Sequence, residues 1–138
     1  MWAERIRTVE AAGSVEPLLA MTLSRFFSVP IAKAHPDVVK AIATRIRTTP
    51  ALGYLGCSHA IPKINVTARL KEILCPTLII VGRDDPGTPV AMSEEIHQAM
   101  PGSKLVIIPD AAHLANLEQP DAFNDALSDF LAGADNRS

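Results

Sequence analysis

The stretch of residues 76–113 constrains the fold of this 138-residue chain more than any other part of it. Residues 77–81 form an apolar run between Pro76 and Gly82, which is typical of a strand buried on both faces. Residues 104–108 form a second such run. Between the two runs, a helical pattern is predicted to begin at Pro89 with Thr88 as N-cap, and its apolar face comprises Met92, Ile96, Ala99 and Met100. Strand, helix, strand indicates a βαβ unit with parallel strands.

Ionisable side chains follow both predicted strands at the point where each strand ends. Asp84 and Asp85 come after the first strand, and His113 comes after the second. In open parallel sheets, functional loops leave the carboxyl ends of the strands, and these ends lie at one edge. The sequence therefore predicts a carboxylate and an imidazole close enough to form a hydrogen bond.

Composition and charge exclude several classes of function. The formal net charge is only −2 and no basic stripe is present, so nucleic acid is not an expected partner. The sequence has neither an apolar run long enough for a membrane span nor a signal peptide at its start, so we expect a cytoplasmic protein with no membrane contact. Cys57 and Cys75 lack metal-ligand spacing, and we expect reduced, buried thiols and no metal.

The N-terminal part of the chain differs in character from the rest. Residues 1–65 show only helical patterns, whereas residues 66–133 contain both strands. The last helix is predicted to begin at Pro120 and end at Gly133, before a frayed tail at 134–138. Five apolar side chains share the predicted inward face of that helix: Phe123, Ala126, Leu127, Phe130 and Leu131.

The predicted sheet is incomplete. Two parallel strands leave unpaired edges, and parallel sheets are normally wider and covered on both faces. We therefore expect a partner chain, or the rest of a longer protein, to supply strands beside residues 77–81.

Two motifs at the predicted strand ends resemble those of α/β-hydrolase fold enzymes. In that family a Gly-x-x-Asp-x-x-x-Pro loop carries the acid of a catalytic triad, and a His-x-x-x-x-Glu-x-Pro stretch carries its base. The resemblance implies that Asp85, rather than Asp84, is the acid and that His113 is the base. The matching positions are Gly82, Asp85 and Pro89 in the first motif and His113, Glu118 and Pro120 in the second.

The helical region resembles the cap of one subfamily, the 3-oxoadipate enol-lactonases of aromatic-compound degradation. The resemblance implies an α/β fold in which a helical cap at residues 1–65 precedes a βαβ-α unit, the C-terminal end of an α/β-hydrolase sheet. The similar stretches include Trp-Ala-Glu-Arg at 2–5, Arg-Phe-Phe at 25–27, His-Pro-Asp-Val-Val at 35–39 and Gly-Tyr-Leu-Gly-Cys at 53–57.

The same resemblance implies a lactone hydrolase that works through an acyl-serine and needs no cofactor. Trp2, Arg25 and Phe26, with the adjacent Phe27, are candidates for lining the substrate site, and an arginine there would pair with a carboxylate of the lactone. The alternative is a packed cap core with Arg25 at the surface. Both interpretations stay open at this stage.

One stretch imitates the missing nucleophile motif. Residues 56–60 read Gly-Cys-Ser-His-Ala, close to Gly-x-Ser-x-Gly. A nucleophile elbow needs a buried strand before the serine and a helix after it, and neither is predicted around Ser58, so we assign Ser58 and Cys57 a structural role. His35 is interpreted as a helix-start residue and His97 as a surface residue of its helix.

Taken together, the sequence resembles the second half of an enol-lactonase, with the acid and the base but no nucleophile elbow or oxyanion loop. We expect the isolated chain to be inactive, and its partner to be the missing N-terminal half. Two alternatives stay open. One is a different α/β-hydrolase chemistry, such as an esterase or a carbon–carbon hydrolase. The other is a non-enzymatic module that self-associates through its open strand edge.

Overall fold

The computed structural model describes residues 2–135, without the side chains of residues 134 and 135. The chain forms two compact units. The first comprises the chain up to Ser24 together with Val29–Asn65, and the second comprises Arg25–Ser28 together with the chain from Val66 onward. A four-residue segment from within the helical region therefore belongs to the second unit.

The first unit is helical, as predicted. Helix α1 ends at Ala12, and Gly13 follows it at φ 62°, the left-handed conformation that glycine adopts after a helix. Helix α2 ends at Phe26, and a separate helix begins at Val29. The helices are α1 (Trp2–Ala12), α2 (Leu19–Phe26, whose last two residues belong to the second unit), α3 (Val29–Ala34), α4 (Pro36–Arg47) and α5 (Ala51–Ala60). The core contains Val9, Val15 and Leu18, with Ile46, Ala51, Tyr54 and Leu55 packed against them.

The second unit contains the predicted parallel pair of strands. Strand β1 (Leu78–Gly82) pairs with β2 (Lys104–Ile108), from Leu78 opposite Lys104 to Gly82 opposite Ile108. Helix α6 (Val90–Ala99) connects them and contacts both strands. The βαβ unit is thus confirmed, with β1 one residue later than predicted. Its core is formed by Ile108, Ala111 and Ala115, with Ile80, Val106 and Phe123 beside them.

Helix α6 differs from its prediction in its start and in its buried face. It begins at Val90, with Pro89 at the N-cap position, and the Thr88 hydroxyl contacts Asp85 instead of capping the helix. Met92 is 51% exposed and Ile96 is 38% exposed, whereas Met100 is buried, so half of the predicted apolar face lacks cover within the described chain.

Three corrections concern the C-terminal helices. Helix α7 (Ala115–Glu118) was not predicted. Helix α8 (Pro120–Asp135) continues beyond Gly133, because this glycine does not adopt the left-handed conformation that would end it, and residues 136–138 of the predicted tail lie outside the described residues. The expected inward positions Leu127 and Leu131 are 38% and 54% exposed.

Several apolar side chains are exposed in both units. Leu52 in the first unit and Leu74 in the second are 85% and 92% exposed. Cys57 and Cys75 are free thiols, but both are exposed, which corrects the prediction that they are buried; Cys57 lies on an uncovered side of α5 and Cys75 in the loop before β1. No helix within residues 2–135 is long and apolar enough to cross a membrane.

Candidate active site

The loops after β1 and β2 are held against each other by backbone contacts. The Arg83 amide donates to the Ile108 carbonyl over 2.8 Å, and the Asp84 amide donates to the Ala111 carbonyl over 2.9 Å. The end of β1 lies so close to the second loop that a Cβ at Gly82 would overlap the carbonyl oxygens of Ala111 and Ala112. A glycine at this position therefore permits the close approach of the two loops.

This approach brings together the two residues that the motifs predict as acid and base. His113 Nδ1 lies 2.7 Å from Asp85 Oδ2. Asp85 is only 6% exposed, whereas the His113 side chain is 38% exposed. Asp84, the alternative carboxylate, is exposed to solvent. The geometry favours Asp85 over Asp84 as the partner of the imidazole.

The Asp85 carboxylate accepts four hydrogen bonds. Oδ1 accepts from the Gly87 amide at 2.7 Å and from the Thr88 amide at 3.0 Å, while Oδ2 accepts from the Thr88 hydroxyl at 2.6 Å and from His113. Burial raises the pKa of Asp85, but the hydrogen bonds from Thr88, His113 and Gly87 outweigh it and hold the pKa below its ordinary value of 3.8. The carboxylate is therefore ionised at neutral pH.

We expect Thr88→Val to raise the pKa of Asp85 and to lower the stability of the chain at neutral pH. A carboxylate whose pKa is depressed by folding adds stability above its unfolded pKa, and loses that contribution as the pH falls through its native pKa. The stability difference between wild type and variant should therefore be constant above the native pKa of Asp85 in the variant, and it should shrink as the pH falls from there toward the lower native pKa of the wild type. Urea unfolding from about pH 6 down to about pH 2 measures this. Thr88→Ser keeps the hydroxyl, so its stability should depend on pH as that of the wild type does. A stability difference between wild type and Thr88→Val that is independent of pH would contradict the role of the Thr88 hydroxyl.

The hydrogen bond to Asp85 fixes the tautomer of His113. Because Oδ2 accepts the proton on Nδ1, the neutral imidazole keeps its free lone pair on Nε2, where a general base needs it. The Phe26 ring stacks on the imidazole, with ring centroids 5.4 Å apart and planes 20° from parallel. The Phe26 carbonyl also accepts from the Leu114 amide at 3.1 Å. Phe26 thus contacts the candidate base directly.

Arg25 lies beside the acid. Its guanidinium occupies the space next to Gly87, where a Cβ would lie 2.6 Å from Nη2, and its side chain is half-buried rather than at the surface. Among the described residues Arg25 forms no ion pair. Trp2 belongs to the first unit, where the Arg5 guanidinium lies 5.3 Å from the centroid of its indole ring. The role of Trp2 as a substrate contact stays a prediction.

The residues that were given no catalytic role have surroundings that fit this assignment. Ser58 is 1% exposed in the interior of α5, a helix of the first unit, and among the described residues no strand precedes it. His97 Nδ1 lies 2.8 Å from Ser103 Oγ, near the end of α6. Within the described residues, no cluster of three or more His, Cys, Asp or Glu side chains is arranged to hold a metal ion.

Sequence reasoning assigned no role in the site to two residues that shape it. Thr88 was predicted to cap a helix, yet its hydroxyl donates to Asp85. Glu118 was identified only as a motif position, yet its buried carboxylate accepts from the amides of Ser28 and Ala112. The position of Glu118 five residues after His113 is the one sequence signal that pointed to it.

The chain is similar to known proteins over nearly its whole length. The family model of the α/β hydrolase fold matches residues 2–120. The chain is 35% identical to 3-oxoadipate enol-lactonase 1 of Acinetobacter baylyi over 94% of its own length and 48% of the relative's. The crystal structure of the enol-lactonase from Burkholderia xenovorans LB400 matches 96% of the chain and 50% of that protein, with a TM-score of 0.91 and 29% identity.

A thermophilic esterase from Thermogutta terrifontis, solved with malate bound, is also similar, with a TM-score of 0.88, 26% identity and coverage of 96% of the chain and 50% of the esterase. The chain thus spans about half the length of the relatives that it matches. The residues matched by the family model include the two loops that carry Asp85 and His113. The chain belongs to the α/β-hydrolase fold family.

Proposed function

We propose that this chain supplies the acid, Asp85, and the base, His113, of a serine hydrolase that opens enol-lactones of the 3-oxoadipate type. One observation carries the proposal: the 2.7 Å contact between His113 Nδ1 and a carboxylate that is buried, ionised and fully hydrogen-bonded. Similarity to enol-lactonases over nearly the whole chain supports the choice of substrate class.

In the proposed mechanism, His113 Nε2 removes the proton from a serine hydroxyl as its oxygen attacks the lactone carbonyl. Asp85 stabilises the resulting imidazolium through Nδ1 and stays ionised. Collapse of the tetrahedral intermediate breaks the ring C–O bond, and His113 returns its proton to the departing enolate. A water molecule, activated by the same base, then cleaves the acyl-serine and releases the dicarboxylic product.

Arg25 and Phe26 are the proposed substrate contacts of the second unit. A guanidinium without a carboxylate partner among the described residues is suited to bind the carboxylate side chain of an enol-lactone. Phe26, stacked on the base, would cover one face of the site. A cleft of about 150 Å³ lies beside the pair, and its polar lining includes Thr88 and Asn116.

The serine and the oxyanion donors are proposed to come from a polypeptide that corresponds to the other half of the relatives. Within the described residues β1 pairs only with β2, so its opposite edge has unsatisfied backbone groups for another strand. Exposed apolar side chains of the second unit, such as Leu74 and Met92, are further surface for such a partner. A second copy of this chain is the alternative occupant of the edge.

The test is hydrolysis of 3-oxoadipate enol-lactone by this chain alone and after co-refolding with the N-terminal half of a related lactonase. We expect activity only in the mixture, with slower turnover of a lactone that lacks the carboxylate. Oligomers of this chain that form equally well with His113→Ala, with no activity in any mixture, would contradict the proposal and favour a self-associating module.

A carboxylesterase is the second candidate, because the fold similarity to the thermophilic esterase is nearly as high as that to the enol-lactonase. The Asp–His pair serves ester and lactone hydrolysis equally well. A panel of simple carboxylic esters, offered to the same reconstituted mixture, separates the two: comparable turnover of esters and enol-lactone would favour the esterase.

A further inference from the structure

Glu118 is a buried carboxylate for which the proposed mechanism has no use. It is 5% exposed, and it ends the short helix α7 that follows the His113 loop. Its Oε1 accepts from the Ser28 amide at 2.7 Å, and its Oε2 accepts from the Ala112 amide. Hydrogen bonds to charged groups are about twice as strong as neutral ones, so burial of this carboxylate is offset by two such bonds.

The two amides belong to different parts of the second unit. Ala112 directly precedes the candidate base, whereas Ser28 lies 90 residues from Glu118 in the chain, in the segment Arg25–Ser28. One carboxylate therefore fastens that segment to the loop that carries His113. The Leu114 amide, which donates to the Phe26 carbonyl, is the second fastening between the same two stretches.

These hydrogen bonds join the two stretches that carry the stacked rings. Phe26 lies two residues before Ser28, and His113 lies one residue after Ala112. The two donors to Glu118 thus lie within two residues of the two rings in contact, whose centroids are 5.4 Å apart. Loss of one bond would free one side of the contact, because the remaining backbone bond at Leu114 fixes a single point.

We propose that Glu118 is a positioning residue that sets the orientation of the His113 imidazole by holding Phe26 against it. Asp85 fixes one nitrogen of the ring, and the stacked phenyl ring fixes its plane. The relevance of this orientation to catalysis rests on the function proposed above, but the orientation itself is measurable in the chain without any activity.

Glu118→Gln is the informative variant because it preserves the size of the side chain. A glutamine side chain has only one acceptor oxygen. Its amide nitrogen, which is a donor, would face the second backbone N–H, so one of the two hydrogen bonds would be lost. Phe26→Leu removes the stacking ring and defines how the His113 ring protons resonate without it. Glu10→Gln, at an exposed position of α1, is the matched control.

The measurement is the NMR spectrum of the imidazole protons in this chain at one pH above the titration range of histidine. In the wild type the His113 ring protons should be shifted by the Phe26 ring current, and Phe26→Leu should remove that shift. Glu118→Gln should move the His113 signals toward their positions in Phe26→Leu, while the signals of His35, His59 and His97 stay in place. In the co-refolded lactonase, kcat/KM should fall about tenfold or more, since small misplacements of catalytic groups are costly.

Two outcomes would overturn the proposal: unchanged His113 signals in Glu118→Gln, or unchanged His113 signals in Phe26→Leu. Movement of all four histidines together would mark a general loss of structure in Glu118→Gln, and Glu118→Asp then decides. That variant keeps the carboxylate but shortens the side chain, so its oxygens no longer reach one of the two amides. It should move only the His113 signals, and unchanged His113 signals in it would also overturn the proposal. Failure of the proposed function would instead appear as absent hydrolysis with these NMR changes intact.

Discussion

Asp85→Asn should lower kcat of the reconstituted hydrolase by about 10⁴-fold, the size of effect known for the equivalent change in a serine protease triad. Oδ1 of Asp85 accepts two backbone amides, from Gly87 and Thr88, so the oxygen of an asparagine would occupy that position. Its amide group would then face His113 Nδ1. The imidazole would have to accept there and place its proton on Nε2, which leaves no lone pair for the serine proton.

The control for this substitution is Asp84→Asn, which removes a carboxylate from the neighbouring, exposed position of the same loop. We expect the control to retain kcat within about twofold, since exposed charges are screened by solvent. Single-turnover kinetics of both variants, with urea unfolding to verify folding, makes the comparison. Equal losses in the two variants would show that Asp85 is not the specific partner of His113.

Gly82→Ala is expected to destabilise the chain by about 3 kcal/mol or more, at the upper end of the range for single substitutions. The added methyl group would overlap two carbonyl oxygens, those of Ala111 and Ala112, and neither is the end of a flexible side chain. Relief requires the His113 loop to move away from β1. That movement also breaks the bond from the Asp84 amide to the Ala111 carbonyl.

Gly56→Ala provides the control for this substitution. Gly56 lies inside α5, where an added Cβ meets nothing within 4 Å, and alanine is the better helix former by about 0.5–1 kcal/mol. Both substitutions replace a glycine with an alanine, but they should shift the urea midpoint in opposite directions: Gly82→Ala lowers it and Gly56→Ala raises it. A Gly82→Ala variant as stable as the wild type would mean that the two loops are not packed as described.

Much of this architecture was predictable because strand ends in a parallel sheet share one edge. The apolar runs at 77–81 and 104–108 give β1 and β2, and Asp85 and His113 follow them by only a few residues. Short loops leave such side chains little freedom of placement. Their meeting at 2.7 Å follows from topology and needs no long-range information.

The less predictable features depend on contacts between residues distant in sequence. Thr88 matches an N-cap pattern, and only the position of the Asp85 carboxylate directs its hydroxyl elsewhere. The contact of Phe26 with His113, and of Ser28 with Glu118, joins residues nearly 90 positions apart, which no local periodicity encodes. The predicted inward faces of α6 and α8 rest on periodicity alone, which indicates a face that can be buried but not whether other residues cover it. The described chain covers these two faces only in part.

The bond between Ser28 and Glu118 also affects the order in which the chain can acquire structure. Within the segment Arg25–Ser28, Ser28 is synthesised 90 residues before Glu118, the residue to which it is attached. The second unit therefore closes a long loop as it folds. The entropy cost of closing a loop grows only slowly with its length, but contacts between residues distant in sequence slow folding. Until Glu118 has been synthesised, Phe26 lacks this anchor, so the second unit cannot be completed before that residue emerges.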